Sequence, residues 1–353
     1  MLEPIPTAVL TGFLGAGKTT LLNSLLKDPL LSNACVVINE FGDVGIDHLL
    51  VEKSDDNIIE LAAGCLCCTI RGDLINTLAD LLSRRDAGTI KAFDRIVIET
   101  TGLADPAPVL HALMRDELLL RRLRLEGVIT LVDGVNGWAT LDAHSESIKQ
   151  VAVADRIVIT KLDLLHGAEG EDKMFAIIGR LRALNPTARL LTTHRSEATA
   201  ERLFNMGLFD AARKTLNVQG WLNDEKLGHR HHHHNVSRHD AHIRSFSMVD
   251  DRAISPQGLE MFLEMLTAFH GPNLLRVKGL LKLSDDPTRP LAVHGVQHVF
   301  HPPVRLSTWP NGQAKTRLVF IVKDIEKADV GKLFEALVDP FSGASDKTLS
   351  LRI

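Results

Sequence analysis

The chain has 353 residues, enough for two domains, and 45% of them are hydrophobic, so it can bury a substantial core. A formal net charge of -4 and a pI near 6.5 do not favour nucleic acid or an acidic membrane as a partner. The first residues lack the basic and apolar segments of a signal peptide, and no apolar run approaches the roughly 18 to 20 residues of a membrane span. We therefore expect a cytoplasmic protein that does not bind a membrane.

Residues 11–20 match a P-loop, Gly-x-x-x-x-Gly-Lys-Thr. The apolar run 7–10 before it and the helical spacing of residues 20–26 after it give the required order of strand, loop and helix. Its glycines let backbone N–H groups surround an anion at the N-terminus of the helix. Lys18 then reaches the β- and γ-phosphates, and the Thr19 hydroxyl completes a Mg²⁺ shell. The residues expected to bind the nucleoside triphosphate here are Gly12, Gly15, Ala16, Gly17, Lys18, Thr19 and Thr20.

A second buried strand is predicted at residues 34–38, where Cys35 is interpreted as a small core residue. Residues 39–47 continue as a polar loop with several glycines, from which a switch segment can reach the nucleotide or its Mg²⁺. Glu40 and Asp43 in this loop are candidate metal ligands and candidates for the base that activates the attacking water. A solvated acidic connection has the same composition, so the sequence leaves both interpretations open.

Three of the four cysteines, Cys65, Cys67 and Cys68, lie within four positions. Thiolates select Zn²⁺, Co²⁺ or Cu⁺ over Mg²⁺, and three of them are one short of a closed tetrahedral zinc site. A carboxylate, water or histidine must complete the shell, which suits a site that passes its metal on. Three buried thiols without function and a redox pair are the alternatives, and metal binding is the favoured interpretation. An amphipathic helix is predicted at residues 71–84.

A further buried strand at residues 93–98 ends in Glu99-Thr100-Thr101-Gly102. An acid at the C-terminal end of a strand beside the P-loop strand typically holds Mg²⁺ or its water. The N–H of Gly102 can donate to a γ-phosphate. The alternative is that Glu99 only caps a helix predicted at residues 103–114.

Residues 127–133 and 156–159 are predicted strands, with a helix near residues 147–154 between them. The second strand leads into Thr160-Lys161-Leu162-Asp163, which fits the guanine-reading pattern [NT]-K-x-D. The Asp163 carboxylate can accept hydrogen bonds from the ring N1–H and the exocyclic amine of guanine, and adenine presents the opposite pattern. Lys161 is expected along the base, and we favour GTP over ATP. Residues 190–194 are a sixth strand candidate, whose exit can touch the base.

The alternation of strands and helices fades from about residue 214, and seven of the sixteen histidines fall between His229 and His242. We expect this segment to be an exposed linker whose imidazoles can bind metal ions, either by function or adventitiously. Residues 243–353 predict a smaller α+β domain with an antiparallel sheet and two helices. Its His294, His298 and His301 are more typical of surface or core histidines than of ligands.

With these motifs assembled, the sequence resembles the CobW family of P-loop GTPases, which is related to the urease and hydrogenase nickel-insertion GTPases. The Cys-x-Cys-Cys cluster after a P-loop is the most specific element, and segments at residues 275–279 and 294–298 resemble the C-terminal module of the family. From these patterns we expect a P-loop domain with a mostly parallel sheet at residues 1–213, a His-rich linker at 214–242 and an α+β domain at 243–353. The resemblance implies a GTPase domain of the parallel-sheet type. It also implies Zn²⁺ or Co²⁺ at the cysteines and GTP hydrolysis that gates transfer to a client.

Two positions depart from the family pattern. Asp43 stands where glutamate is usual, and Thr160 replaces the more frequent asparagine.

We predict a GTPase that acts as a metallochaperone for a client metalloprotein or a metal-cofactor pathway enzyme, and a homo-oligomer is possible. Lys18, Thr19 and Glu99 are its predicted catalytic residues. The alternatives are a nucleotide-gated binding module without catalysis and a small-molecule kinase, in which residues 121–124 supply an arginine-rich lid.

Overall fold

The computed structural model describes residues 3–39, 58–60, 69–194, 197–204, 242–309 and 312–342. The chain divides into two compact units, residues 1–241 and residues 242–353. Within the described ranges, no helix combines the length and the apolar character needed to cross a lipid bilayer.

The first unit alternates strands and helices along the chain, as expected for an α/β domain. Its strands are β1 (Ile5–Gly12), β2 (Ala34–Asn39), β3 (Ile58–Glu60), β4 (Arg95–Thr100), β5 (Leu123–Asp133), β6 (Arg156–Thr160) and β7 (Arg189–Thr192). Its helices are α1 (Lys18–Leu25), α2 (Thr69–Asp86), α3 (Ala107–Arg115), α4 (Glu117–Arg122), α5 (Gly137–Ala143), α6 (Ser145–Ala152), α7 (Gly167–Leu184) and α8 (Ala200–Leu203).

The seven strands form one sheet in the order β3-β2-β4-β1-β5-β6-β7, and all neighbouring pairs are parallel. The predicted fold class is therefore confirmed. The short strand β3, for which the sequence interpretation assigned no element, extends the edge of the sheet. The helix predicted near residues 147–154 corresponds to α6, and α5, for which the sequence interpretation assigned no element, precedes it.

The central strands are buried on both faces because helices cover them, which explains their almost continuous apolar sequence. Every residue of β4 is buried, and in β1 all but Pro6 are. One side of the sheet packs on α1 through a core that includes Leu10, Leu22 and Leu131. The strand order places the C-terminal end of β1 between the ends of β4 and β5, so groups from several strands converge on the loop that follows β1.

The second unit is a separate α+β arrangement, also as predicted. Its elements are β8 (Ile243–Asp250), α9 (Pro256–His270), β9 (Leu274–Leu281), β10 (Leu291–Val296), β11 (Val299–Phe300), β12 (Val304–Arg305), β13 (Thr316–Lys323) and α10 (Lys327–Ser342). The sheet is antiparallel, in the order β11-β10-β9-β13-β8, with β12 also paired to β10. Phe262 of α9 and Phe334 of α10 pack edge-to-face above it, 5.3 Å between ring centroids.

Candidate functional site

The P-loop joins β1 to α1, and its shape depends on glycine. Gly12 has φ 143°, and a Cβ there would lie 2.5 Å from the carbonyl oxygen of Leu131, so no larger residue fits between β1 and β5. Gly17, with φ 91°, is the N-cap of α1. The loop therefore turns over the end of the sheet and meets the N-terminal end of α1, where an anion is stabilised.

Lys18 is the first residue of α1 and is buried. Its Nζ donates to the carbonyl oxygen of Gly12 at 2.9 Å and to that of Phe13 at 3.4 Å. The ammonium group thus lies over the backbone of the phosphate-binding loop. Gly15 and Thr20 are exposed at the same edge.

The side chain after Lys18 meets the acid at the end of the neighbouring strand. The Thr19 hydroxyl donates to Oε1 of Glu99 over 3.4 Å, and the Glu99 side chain is buried. The alternative role of Glu99 as a helix cap is wrong, because α3 begins only at Ala107. The N–H of Ala107 donates to Oδ1 of Asp105 at 2.9 Å. A hydroxyl and a carboxylate oxygen together are the ligand types that Mg²⁺ prefers.

Gly102 follows β4 and lies directly against the P-loop. A Cβ at this position would be 2.6 Å from the backbone nitrogen of Leu14, so glycine allows the close approach. The structure thus brings Lys18, Thr19, Glu99 and Gly102 together at one edge of the sheet.

The other side of the P-loop contacts the end of β6. The Thr160 hydroxyl donates to the carbonyl oxygen of Ala16 at 2.9 Å. Lys161 follows with φ 58°, and its Nζ donates to Oδ2 of Asp133 at 2.8 Å. Asp163 is exposed in a short 3-10 turn, Leu162–Leu164, so its carboxylate is accessible to a ligand.

Asp133 is a residue of this site that the sequence analysis did not single out. Its Oδ1 accepts from the N–H groups of Val135 and Asn136 at 2.8 and 3.0 Å, in addition to the bond from Lys161 at Oδ2. Burial alone would raise the pKa of the Asp133 carboxyl, but the hydrogen bonds from Lys161, Asn136 and Val135 together hold the pKa below its ordinary value. Its position at the C-terminal end of a predicted parallel strand was the available signal.

A cavity of about 160 Å³ lies beside the P-loop, against α5 and α6. Its lining includes Phe13 and Ala16 of the loop, Asp133 at the end of β5, and Thr140 and Gln150 on the helices. The P-loop is therefore not closely packed on this side.

Several predicted site residues lie outside the described residues: Cys65, Cys67, Cys68, Glu40, Asp43 and the histidine run from His229 to His234. Cys35 is described and buried, as predicted, and burial raises the pKa of its thiol to about 11.

The described part of the chain contains no group of three or more His, Cys, Asp and Glu side chains arranged to hold a metal ion. His294, His298 and His301 therefore do not form such a site among those residues.

The arginine-rich lid that a kinase would need is not formed by residues 121–124. Arg121 lies 3.8 Å from Glu117 on the exposed surface of α4, and Arg122 pairs with Asp86 at 2.8 Å. The next residue begins β5 and pairs with Ile5 at the start of β1, at the opposite end of the strand from the P-loop. Arg121 and Arg122 thus lie on the surface, away from the P-loop.

Comparisons with known proteins agree with this architecture. The family of CobW/HypB/UreG nucleotide-binding domains matches residues 6–191, and that of the cobalamin synthesis protein CobW C-terminal domain matches residues 243–338. The zinc chaperone YjiA of Escherichia coli is 32% identical over 336 residues, covering 95% of this chain and 99% of the relative. The zinc chaperone CobW of Sinorhizobium sp is 30% identical over 367 residues, covering 95% and 97%.

The crystal structure of Zn(II)-bound YjiA GTPase from E. coli superposes with a TM-score of 0.70 at 28% identity, covering 95% of this chain and 99% of that chain. Sequence and structure thus match across both units. The chain belongs to the CobW/HypB/UreG family of P-loop GTPases.

Proposed function

We propose that this protein is a GTP-hydrolysing metallochaperone that binds Zn²⁺ at Cys65, Cys67 and Cys68 and passes it to a client metalloprotein or metal-cofactor pathway enzyme. Two observations support the proposal. The residues for nucleotide binding converge around the P-loop, and the relatives that match the chain over almost its full length are named zinc chaperones. Co²⁺ is a second cargo that the same thiolate ligands accept.

The contact between the Thr19 hydroxyl and Glu99 is the single observation that carries the proposed hydrolysis, since it joins the P-loop to the acid at the end of β4. These two oxygen ligands suit Mg²⁺ or its bound water, and the ion would offset the charge of the β- and γ-phosphates. Lys18 exchanges its contacts with the loop carbonyls for phosphate oxygens when the nucleotide binds. The Gly102 N–H then lies on the γ-phosphate side of the loop, where charge develops during transfer to water.

Guanine recognition is assigned to the end of β6. The exposed Asp163 carboxylate accepts from the two donors of guanine, and Lys161 lies along the base. The hydrogen bond from Thr160 to Ala16 fixes this segment to the P-loop, so the base and the phosphates are positioned by one unit. This arrangement favours GTP over ATP.

The cysteine cluster supplies three soft ligands, and a fourth ligand such as Glu40, Asp43 or water completes a zinc shell that can open. If nucleotide and zinc affinity are coupled, each ligand must change the affinity for the other by the same factor. Hydrolysis then switches the protein between a tight and a weak zinc-binding state, which releases the metal to the client.

The test is a zinc titration against a chromogenic chelator, in the presence of Mg²⁺ with either a non-hydrolysable GTP analogue or GDP. All samples lack residues 229–234, so that the imidazoles do not compete. Wild-type protein is compared with Cys67→Ser, and thiol labelling with and without Zn²⁺ counts the protected cysteines. Cys35 serves as an internal control, because a buried thiol with a pKa of about 11 does not label under native conditions.

We expect a tight site that requires Cys67 and shifts at least about tenfold with the nucleotide, which corresponds to about 1.4 kcal/mol of coupling. Equal zinc affinity in both nucleotide states would remove the gating mechanism. Hydrolysis of ATP in preference to GTP, or formation of a phosphorylated small molecule, would support a kinase instead.

A further inference from the structure

The loop that follows β4 is held by a buried glutamine of α6. Gln150 is 1% exposed, and its Nε2 donates to the carbonyl oxygens of Gly102 and Ala104, each at 3.1 Å. Two carbonyl acceptors fix the orientation of the side-chain amide, since only its NH₂ group can donate to both. The amide therefore spans the turn that carries Gly102.

The neighbouring residue of α6 reinforces this contact. Lys149 pairs with Oδ2 of Asp105 at 2.9 Å, while Oδ1 of the same carboxylate accepts from the N–H of Ala107 at the start of α3. Consecutive residues of one helix thus hold three positions of the loop, 102, 104 and 105.

Helix α6 is itself held in place by hydrogen bonds from neighbouring elements. The Thr130 hydroxyl on β5 donates to the backbone carbonyl of Gln150 at 2.8 Å, and Asn185 donates to three carbonyls at the C-terminal end of the helix, those of residues 151, 152 and 154, at 2.8 to 3.1 Å. At its N-terminal end the His144 ring stacks on Phe13 of the P-loop, with 4.4 Å between ring centroids. The helix therefore contacts both the P-loop and the loop on its γ-phosphate side.

We propose that Gln150 is a positioning residue that raises the affinity of this protein for GTP relative to GDP. The inference rests on the proposed GTP hydrolysis, in which the Gly102 N–H faces the γ-phosphate. Gln150 holds the carbonyl of Gly102, which belongs to the peptide that follows the Gly102 N–H, and so limits rotation of the Gly102 backbone before the nucleotide arrives. The N–H donor then needs less ordering when GTP binds. GDP has no γ-phosphate and does not use this donor. Gln150 thus acts on GTP through Gly102 without touching the nucleotide.

The experiment compares wild-type protein with Gln150→Leu, which keeps the approximate size of the side chain and removes both hydrogen bonds. Lys149→Ala is the milder variant, because it removes only the partly exposed ion pair with Asp105. Ser147→Ala is the matched control: this buried hydroxyl lies on the same helix and donates to the carbonyls of His144 and Thr140, outside the loop. Affinities for fluorescent GDP and for a fluorescent non-hydrolysable GTP analogue are measured with Mg²⁺, together with melting temperatures.

In Gln150→Leu we expect the affinity for the GTP analogue to fall about tenfold and that for GDP by less than about threefold. Lys149→Ala changes the ratio of the two affinities in the same direction by about twofold, because it releases Asp105 on the same loop. If Gln150→Leu does not fold, Gln150→Met, which keeps the length of the side chain and lacks the N–H donors, must lower the same ratio instead. Ser147→Ala leaves the ratio unchanged, whatever its melting temperature. Equal losses for both nucleotides would overturn the inference and leave Gln150 a structural residue. Failure of the wild-type protein to bind the GTP analogue would instead contradict the proposed function.

Discussion

The two sides of the P-loop are built differently. On the β6 side, the Thr160 hydroxyl donates to the carbonyl oxygen of Ala16 in the loop at 2.9 Å, and the next residue, Lys161, forms an ion pair with Asp133 at the end of β5 at 2.8 Å. On the β4 side, the Thr100 hydroxyl donates to the Thr11 hydroxyl at the start of the loop at 2.8 Å, whereas the bond from Thr19 to Glu99 is 3.4 Å long and Gly102 packs closely against the backbone of Leu14. A bond of 3.4 Å is weak, so the Thr19 hydroxyl loses little when it turns from Glu99 to a ligand.

This difference matches what the nucleotide offers to each side. The guanine base is the same in GTP and GDP, so its recognition can be preformed at the end of β6. The γ-phosphate and Mg²⁺ contacts change during hydrolysis, and the β4 side carries the groups proposed to meet them. We therefore expect substitutions near Gly102 to separate GTP from GDP, and substitutions near Thr160 and Asp133 to affect both nucleotides alike.

The largest effect is expected for Gly102→Ala. The added methyl group would lie 2.6 Å from the backbone nitrogen of Leu14, and backbone atoms cannot move aside as a flexible side chain can. The loop after β4 must shift, which removes the Gly102 N–H from the γ-phosphate. We predict that kcat/KM for GTP falls about 100-fold, while GDP affinity falls less than about fivefold.

Gly179→Ala on α7 is the matched control, because a Cβ there meets nothing within 4 Å and alanine favours a helix over glycine. This variant should hydrolyse GTP at the wild-type rate and melt at the same or a slightly higher temperature. An equal loss of GTP and GDP affinity in Gly102→Ala would show that the two sides of the loop are not functionally distinct.

The sequence predicts the strands of the first unit well because they are short apolar runs that end in the motifs. It does not give their lateral order, since that order depends on packing between elements far apart in the chain. The contact between Asp133 and Lys161 was therefore not predicted, although both residues lie at the ends of predicted strands. The P-loop pattern, by contrast, depends on local backbone geometry at Gly12 and Gly17, which the sequence specifies directly.

Gln150 illustrates a residue that the sequence could not reveal. It occupies a buried position of an amphipathic helix between Ile148 and Val151, where its amide carries no motif. Its role depends on hydrogen bonds to carbonyls of residues 102 and 104, almost 50 positions earlier in the chain. The predicted helix near residues 147–154 was correct in type, but α6 begins and ends two residues earlier.

An intermediate effect is expected on the β6 side for Asp163→Asn. The amide can accept one hydrogen bond from guanine but offers a donor where the carboxylate would accept the second, so GTP and GDP should both bind about 30-fold more weakly. Xanthine carries a carbonyl in place of the exocyclic amine and can accept from this amide, so XTP binding should improve. Competition of each nucleotide with fluorescent GDP measures both changes. Unaltered discrimination among GTP, ATP and XTP would remove Asp163 from base recognition.

The smallest effect is expected for Asp133→Asn, which keeps the acceptor for the N–H groups of Val135 and Asn136 but removes the charge that faces Lys161. The Lys161 side chain is 36% exposed, so solvent weakens the ion pair and its contribution to stability is about 0.5 kcal/mol. With Lys161 less well placed, GTP and GDP affinities should fall together, by about threefold. This common loss contrasts with the selective loss expected in Gly102→Ala.

The effect of Asp133→Asn on stability depends on pH with a definite sign. The pKa of this carboxyl is lower in the folded protein than its ordinary value, so the native state favours the ionised form. The ionised carboxylate makes its full contribution to the free energy of unfolding above the ordinary aspartate pKa of about 4. This contribution is lost as the pH falls through the lower pKa of the folded state. Urea unfolding of both proteins should show wild type more stable at pH 7 and the difference shrinking below about pH 4. A difference that persists unchanged at low pH would mean that the charge of Asp133 does not hold Lys161 in place.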